Sequence, residues 1–263
     1  ELCGKAACDL PPDVLDRLKV MEKQETGELA ADFFRQYFEN ARIAGAERMA
    51  LCQDTGFAVY FIELGDRVRL DRGTLSEAVA AGTARGYETH FLRKSIVDDP
   101  LFDRRNTKNN TPPVIHLELV PGDGLRIVLA PKGGGSENMS AIRMLKPSDG
   151  RKGVVEFAVE TVRNAGGNPC PPTVVGMGIG GTFEKAAYLA KKALLRKTGE
   201  PHPDPRYAEL EAEILEKINA TGVGPQGLGG VVTSLAVHIE YFPCHIASLP
   251  VAINLNCHAA RHA

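Results

Sequence analysis

The chain has 263 residues, 43% hydrophobic and 24% charged, with a formal net charge of −2. That size and apolar content support a sizeable core, and the interspersed charge gives no footprint for nucleic acid or an anionic membrane. There is no apolar run of the about 18 residues that a transmembrane helix needs, and Glu1-Leu2-Cys3-Gly4 lacks the basic start and apolar core of a signal peptide.

Asp9-Leu10-Pro11-Pro12 predicts a helix start, with Cys3 and Cys8 lying before it as incidental thiols. The helix runs to about Glu25, and a second is expected from about Glu28 to Met49. In the second, Phe33, Phe34, Tyr37 and Phe38 recur at core spacing. Cys52-Gln53-Asp54-Thr55-Gly56 then forms a polar turn before a buried strand from Phe57 to Leu64. Thr74 or Ser76 can cap a helix from about Leu75 to Phe91, with Val79 three residues after Ser76 arguing against a capping box. Residues 92–111 are polar and carry five basic side chains, Arg93, Lys94, Arg104, Arg105 and Lys108, in a surface or anion-binding loop.

Residues 113–120 and 125–130 read as a hairpin or adjacent antiparallel pair across Pro121-Gly122-Asp123-Gly124. The second strand enters Lys132-Gly133-Gly134-Gly135-Ser136-Glu137-Asn138, where the backbone can approach a ligand or form an anion nest. The segment matches neither a phosphate loop nor a dinucleotide fingerprint, so no nucleotide site is expected. A helix from Gly150 to Asn164, a strand from Thr173 to Gly181, and helices over 182–196 and 206–219 follow. Strands near 231–239 and 246–255 close the pattern. The fold class expected is α/β: mixed β-sheets surrounded by helices, one domain over residues 1–263, and not a Rossmann fold.

The six cysteines, Cys3, Cys8, Cys52, Cys170, Cys244 and Cys257, are too dispersed for a secreted disulfide framework, which implies a reduced, cytoplasmic setting. No pair has the spacing of a zinc finger, compact ferredoxin or thioredoxin motif. Cys52, Cys170 and Cys257 each sit on a Gly/Pro-rich or polar loop beside an apolar strand. Such scattered thiols fit either core residues or three ligands of an iron–sulfur cluster with one open, Lewis-acidic iron.

Over essentially its whole length the sequence resembles the alpha subunit, or N-terminal domain, of the iron–sulfur fumarases in the fumarate/tartrate hydro-lyase family. The likeness is carried by Cys52-Gln53-Asp54-Thr55-Gly56, Arg93-Lys94-Ser95, Asn106-Thr107, Asn110-Thr111-Pro112 and Lys132 to Asn138. It continues through Cys170-Pro171-Pro172, Gly176 to Gly181, Gly224-Pro225-Gln226-Gly227, His238-Ile239-Glu240, His245 and Asn256-Cys257-His258. The resemblance implies a 4Fe–4S cluster on Cys52, Cys170 and Cys257. It also implies substrate-binding roles for Gln53, Asp54, Arg93, Gly135 and His245, with Asp54 and His245 catalytic. The implied reaction is reversible hydration of fumarate, a small dicarboxylate, to (S)-malate, as in the tricarboxylic acid cycle. The implied active site is completed by a separate beta subunit, in a higher oligomer of alpha and beta, and the chain alone is expected to be inactive. The Lys132–Asn138 segment and the Asn-Cys-His ending favour fumarase. An L-tartrate dehydratase alpha subunit, a mesaconate hydratase, a non-enzymatic iron–sulfur redox sensor and a zinc-binding structural protein are the alternatives.

Overall fold

The apolar run after the Cys52 turn forms a central strand in a computed structural model that describes residues 1–263. β1 (Phe57–Gly65) is buried at most positions, so it needs a neighbour on each edge and cover on both faces. β2 (Val114–Val120) lies parallel to β1 on one side, and β3 (Leu125–Lys132) lies antiparallel on the other. The sheet order is therefore β2-β1-β3, and the expected hairpin of residues 113–130 is corrected: its two arms are separated by β1. The more apolar strand displaces the hairpin because burying it on both edges satisfies more backbone hydrogen bonds inside the core.

Close contacts gather the chain into two compact units, residues 1–10, 40–134 and 261–263 in the first and residues 11–39 and 135–260 in the second. In the first unit, α1 (Leu2–Cys8) and α4 (Leu75–Thr89) cover the sheet. Cys3, Cys8, Tyr60, Ile62, Tyr87 and Leu129 form the core there. Cys3 and Cys8 thus lie inside a helix, not ahead of the first one, and burial raises the pKa of both thiols, which makes them inert. Thr74 caps α4, and the capping box is present after all: Thr74 Oγ1 accepts from the Glu77 N–H at 3.2 Å, while Glu77 accepts from the Thr74 N–H at 2.9 Å. The motif starts at Thr74, two residues before Ser76, and counting from Ser76 misses it.

α2 (Pro12–Glu22) belongs to the second unit, and α3 (Glu28–Glu47) divides its length between the two. The second unit contains a four-stranded sheet in the order β4-β7-β5-β6. Its strands are β4 (Ala141–Leu145), β5 (Thr173–Gly180), β6 (Ser234–Phe242) and β7 (Leu249–Asn256). β5 pairs parallel with β6 and antiparallel with β7, and every residue of β5 is buried. Val175, Met177 and Ile179 pack toward α6 (Gly150–Ala165) and α8 (Pro205–Asn219), with Phe157, Ile214 and Ile218 in one cluster. Strand alternation turns Gly176 and Gly178 the other way, against α7 (Phe183–Ala193). A Cβ on either glycine would collide with the main-chain carbonyl of Ala190 or Ala186. The glycines of β5 therefore serve close helix–sheet packing.

The chain is a single α/β domain of mixed, open sheets surrounded by helices, as the sequence predicts, and not a doubly wound nucleotide fold. No helix is long and apolar enough to cross a membrane.

Candidate functional site

Asp54 is the most tightly determined of the expected site residues. Its turn leads into β1, and Gly56 holds φ +84° with its α-carbon against the chain at Lys132. A Cβ at Gly56 would lie 2.8 Å from the Lys132 nitrogen, so only glycine fits the approach. That closeness lets Asp54 bridge two segments. Its Oδ1 accepts from the Gly56 N–H at 3.0 Å, and its Oδ2 accepts from the Gly134 N–H at 2.7 Å. Two charge-assisted bonds to backbone leave the carboxylate little freedom. The first turn of the glycine segment is a single turn of helix, α5 (Gly134–Glu137).

The turn is also held from behind by its main chain. Tyr87 Oη donates to the carbonyls of Thr55 and Gly56 at 3.1 and 2.8 Å. Burial raises the pKa of Tyr87 well above the usual phenol value, which keeps the hydroxyl a donor. Fully buried Asn110 donates to Gly56 O at 3.2 Å and accepts from the Ser95 N–H at 2.8 Å. Thr55 Oγ1 donates to the Arg93 carbonyl at 2.9 Å, and Arg261 Nη2 donates to the Asp54 carbonyl. The basic segment is thereby pinned to the turn. Three of the seven non-glycine residues with positive φ, Arg104, Lys108 and Asn110, lie in it, and a fourth, Phe91, immediately precedes it. Such conformations persist where surroundings over-determine them, as at binding sites. Gln53 and Arg93 are exposed beside these anchors, and Gln53 Oε1 accepts from Cys52 Sγ at 3.5 Å.

The second unit builds its own polar turn around Cys170, which has φ +54° and is exposed. Tyr37 Oη donates to the Pro171 carbonyl at 3.1 Å and accepts from Gln226 Nε2 at 2.7 Å. The His258 ring stacks on Tyr37 with centroids 4.0 Å apart, and its Nδ1 lies 3.1 Å from the Cys170 carbonyl. Burial, reinforced by the charges of Cys170 and Cys257, raises the Tyr37 pKa despite the Gln226 bond. Spacing alone places Tyr37 in an apolar core, and its ring is buried there, but its hydroxyl reaches a polar network that periodicity does not reveal. Gly135 lies by the same turn, where a Cβ would crowd the Asn168 carbonyl at 3.3 Å. His245 is exposed in the β6–β7 loop, and its Nδ1 accepts from the Ala247 N–H at 3.2 Å. A neutral ring so bonded carries its proton on Nε2.

The iron–sulfur expectation is corrected by this placement. Nowhere do three or more His, Cys, Asp or Glu side chains gather into a group that could hold a metal ion, and none of the six cysteines is in a disulfide. Cys52 belongs to the first unit, with its thiol turned to Gln53, while Cys170 and Cys257 belong to the second, beside Tyr37. The three thiols do not form the donor set that a 4Fe–4S cluster requires, and the zinc and cluster-sensor alternatives lack a donor set for the same reason. Arg261, Tyr87 and Tyr37 are the site residues that motif reading does not supply.

Comparison with known proteins bears on the reaction. Residues 1–263 match the protein family described as Fumarate hydratase (Fumerase). A Methanocaldococcus jannaschii protein named "Putative L(+)-tartrate dehydratase subunit alpha" is 46% identical over 269 residues, covering 100% of this chain and 94% of the relative. The Escherichia coli K12 protein named "L(+)-tartrate dehydratase subunit alpha" is 36% identical over 259 residues, covering 96% and 84%. The Shigella sonnei protein of the same name gives the same figures. With every residue matched and the relatives aligned over most of their length, this chain belongs to the fumarate/tartrate hydro-lyase alpha-subunit family and is an enzyme of the hydro-lyase class.

Proposed function

We propose that the chain is the alpha subunit of an L(+)-tartrate dehydratase, whose active site is completed by a partner subunit. The observation that carries this is the 46% identity across the whole chain to a relative so named, with 36% to the Escherichia coli protein. It replaces the expectation of fumarate as first substrate, which rested on short motifs.

Removing water from tartrate takes a proton from the carbon beside one carboxylate and a hydroxyl from the next carbon. The product is an enol that tautomerises to a 2-oxo dicarboxylate. Such an elimination needs a fixed acid–base group, donors for two carboxylates and a proton for the leaving hydroxyl. Asp54, held by two backbone N–H groups, is assigned to moving or orienting the proton. Arg93 presents a planar guanidinium suited to a carboxylate. Gln53 adds a neutral donor within the same unit, and Gly135 and His245 of the second unit are the further substrate-binding candidates that the family resemblance implies. Fumarate hydration is the second reading, favoured by the description of the matched family. It reverses the same elimination on a substrate with one hydroxyl fewer.

The deciding experiment is turnover of L-tartrate, fumarate, (S)-malate and mesaconate by the chain co-expressed with its partner subunit. L-tartrate is expected to give the highest kcat/KM, by about tenfold or more, the range a single hydroxyl contact supplies. A preference for fumarate or malate would overturn the assignment.

A further inference from the structure

Arg261 is a cation in an unusual position. It is 5% exposed, and no carboxylate pairs with it. Nη2 donates to the main-chain carbonyl of Asp54, while Nη1 is buried without a hydrogen-bond partner. Two residues on, Ala263 exchanges two main-chain bonds with Leu129, at 2.8 and 2.9 Å, so the tail carrying Arg261 is fastened to β3. Both Asp54 carboxylate oxygens already accept from backbone N–H groups. The guanidinium therefore reaches the residue only through its carbonyl. The charges of Arg261 and Asp54 both act on the phenol of Tyr87, which holds the same turn.

Buried unsatisfied groups retained in a folded protein call for a reason. We infer that Arg261 is a positioning residue for Asp54: from a tail fastened to β3 it fixes the Asp54 main chain and so holds the carboxylate aimed during turnover. The inference rests on the hydro-lyase reading for its kinetic consequence, though not for its structural one.

The test uses the full chain with its partner subunit and the variants Arg261→Gln, Arg261→Lys, Asp54→Asn and the Asp54→Asn/Arg261→Gln double variant. Arg261→Gln is expected to lower kcat on L-tartrate by about 30- to 100-fold, with KM within about threefold. Arg261→Lys, whose side chain is long enough to reach the same carbonyl, should stay within about tenfold of wild type. The double variant should be no slower than Asp54→Asn alone, within about twofold. A second readout is independent of substrate. Amide exchange at Gly56 and Gly134 should accelerate about tenfold in Arg261→Gln, while the β5 amides do not change. Wild-type kcat in Arg261→Gln, or losses that multiply in the double variant, would overturn the inference. If the wild type does not turn over tartrate, the function assignment fails and amide exchange alone decides, with unchanged Gly56 and Gly134 rates sinking the positioning role. Should Arg261→Gln not fold, Arg261→Lys carries the test, and a loss as complete as that of Asp54→Asn would overturn it.

Discussion

His238 shows how much one buried side chain can determine. It is 1% exposed in β6, and neither ring nitrogen makes a hydrogen bond of normal geometry. Burial first, then the Arg196 charge, pushes its pKa down to about 4; Arg17 adds to the fall, and Asp13 and the Ala193 carbonyl oppose it. The folded chain therefore keeps the ring neutral where the unfolded chain protonates it. Below about pH 6.5 the unfolded state binds the extra proton, so stability falls as pH drops toward 4 and is unaffected by this group at higher pH. Between about pH 7 and about pH 5 this one site is expected to remove about 2 kcal/mol. Urea unfolding at the two pH values should show a flatter dependence in His238→Gln. An equal slope in both proteins would mean that His238 is not held neutral.

At the level of elements, the β5–α7 contact has the least tolerance. Gly178 faces the main chain of Ala186, so Gly178→Ala must push α7 off the sheet or distort β5. Overpacking of this kind typically costs about 1–3 kcal/mol, and a clash with backbone belongs at the upper end. Denaturant midpoints would measure it, and a loss under about 0.5 kcal/mol would show that α7 moves freely. α8 is fastened to the outer edge of the same sheet by charge. Glu211 accepts from Arg196 Nη1 at 2.5 Å, the Ile239 N–H at 2.7 Å and the His202 N–H at 2.9 Å. That carboxylate covers an outward N–H of the edge strand β6, which would otherwise be open to another chain.

For the whole molecule, the assignment makes a claim about assembly. Asp54 and its supports are complete within this chain, yet its relatives are named as alpha subunits. If a partner supplies further catalytic groups, the purified chain alone should turn over L-tartrate at least about 10²-fold more slowly than the co-expressed pair. Adding separately purified partner should restore the rate. Equal rates with and without partner would show that this chain holds the whole apparatus.

The sequence by itself determined most of the elements, because helix and strand periods, prolines and glycine punctuation are local. It also marked Asp54, whose cluster of polar residues ahead of a buried strand is visible in one stretch. Three things were decided only in three dimensions. The pairing of β2 and β3 with β1 depends on which strand gains most from burial at the centre of a sheet, a comparison across more than 70 residues of chain between β1 and the end of β3. The three cysteines shared a motif-like setting, but the fold places them in two units and does not assemble a metal donor set. Arg261 has no local signal at all, since an arginine near a chain end reads as solvated. Its meaning comes from being buried against a turn 207 residues earlier, and such burial is a property of the folded chain and not of any segment in it.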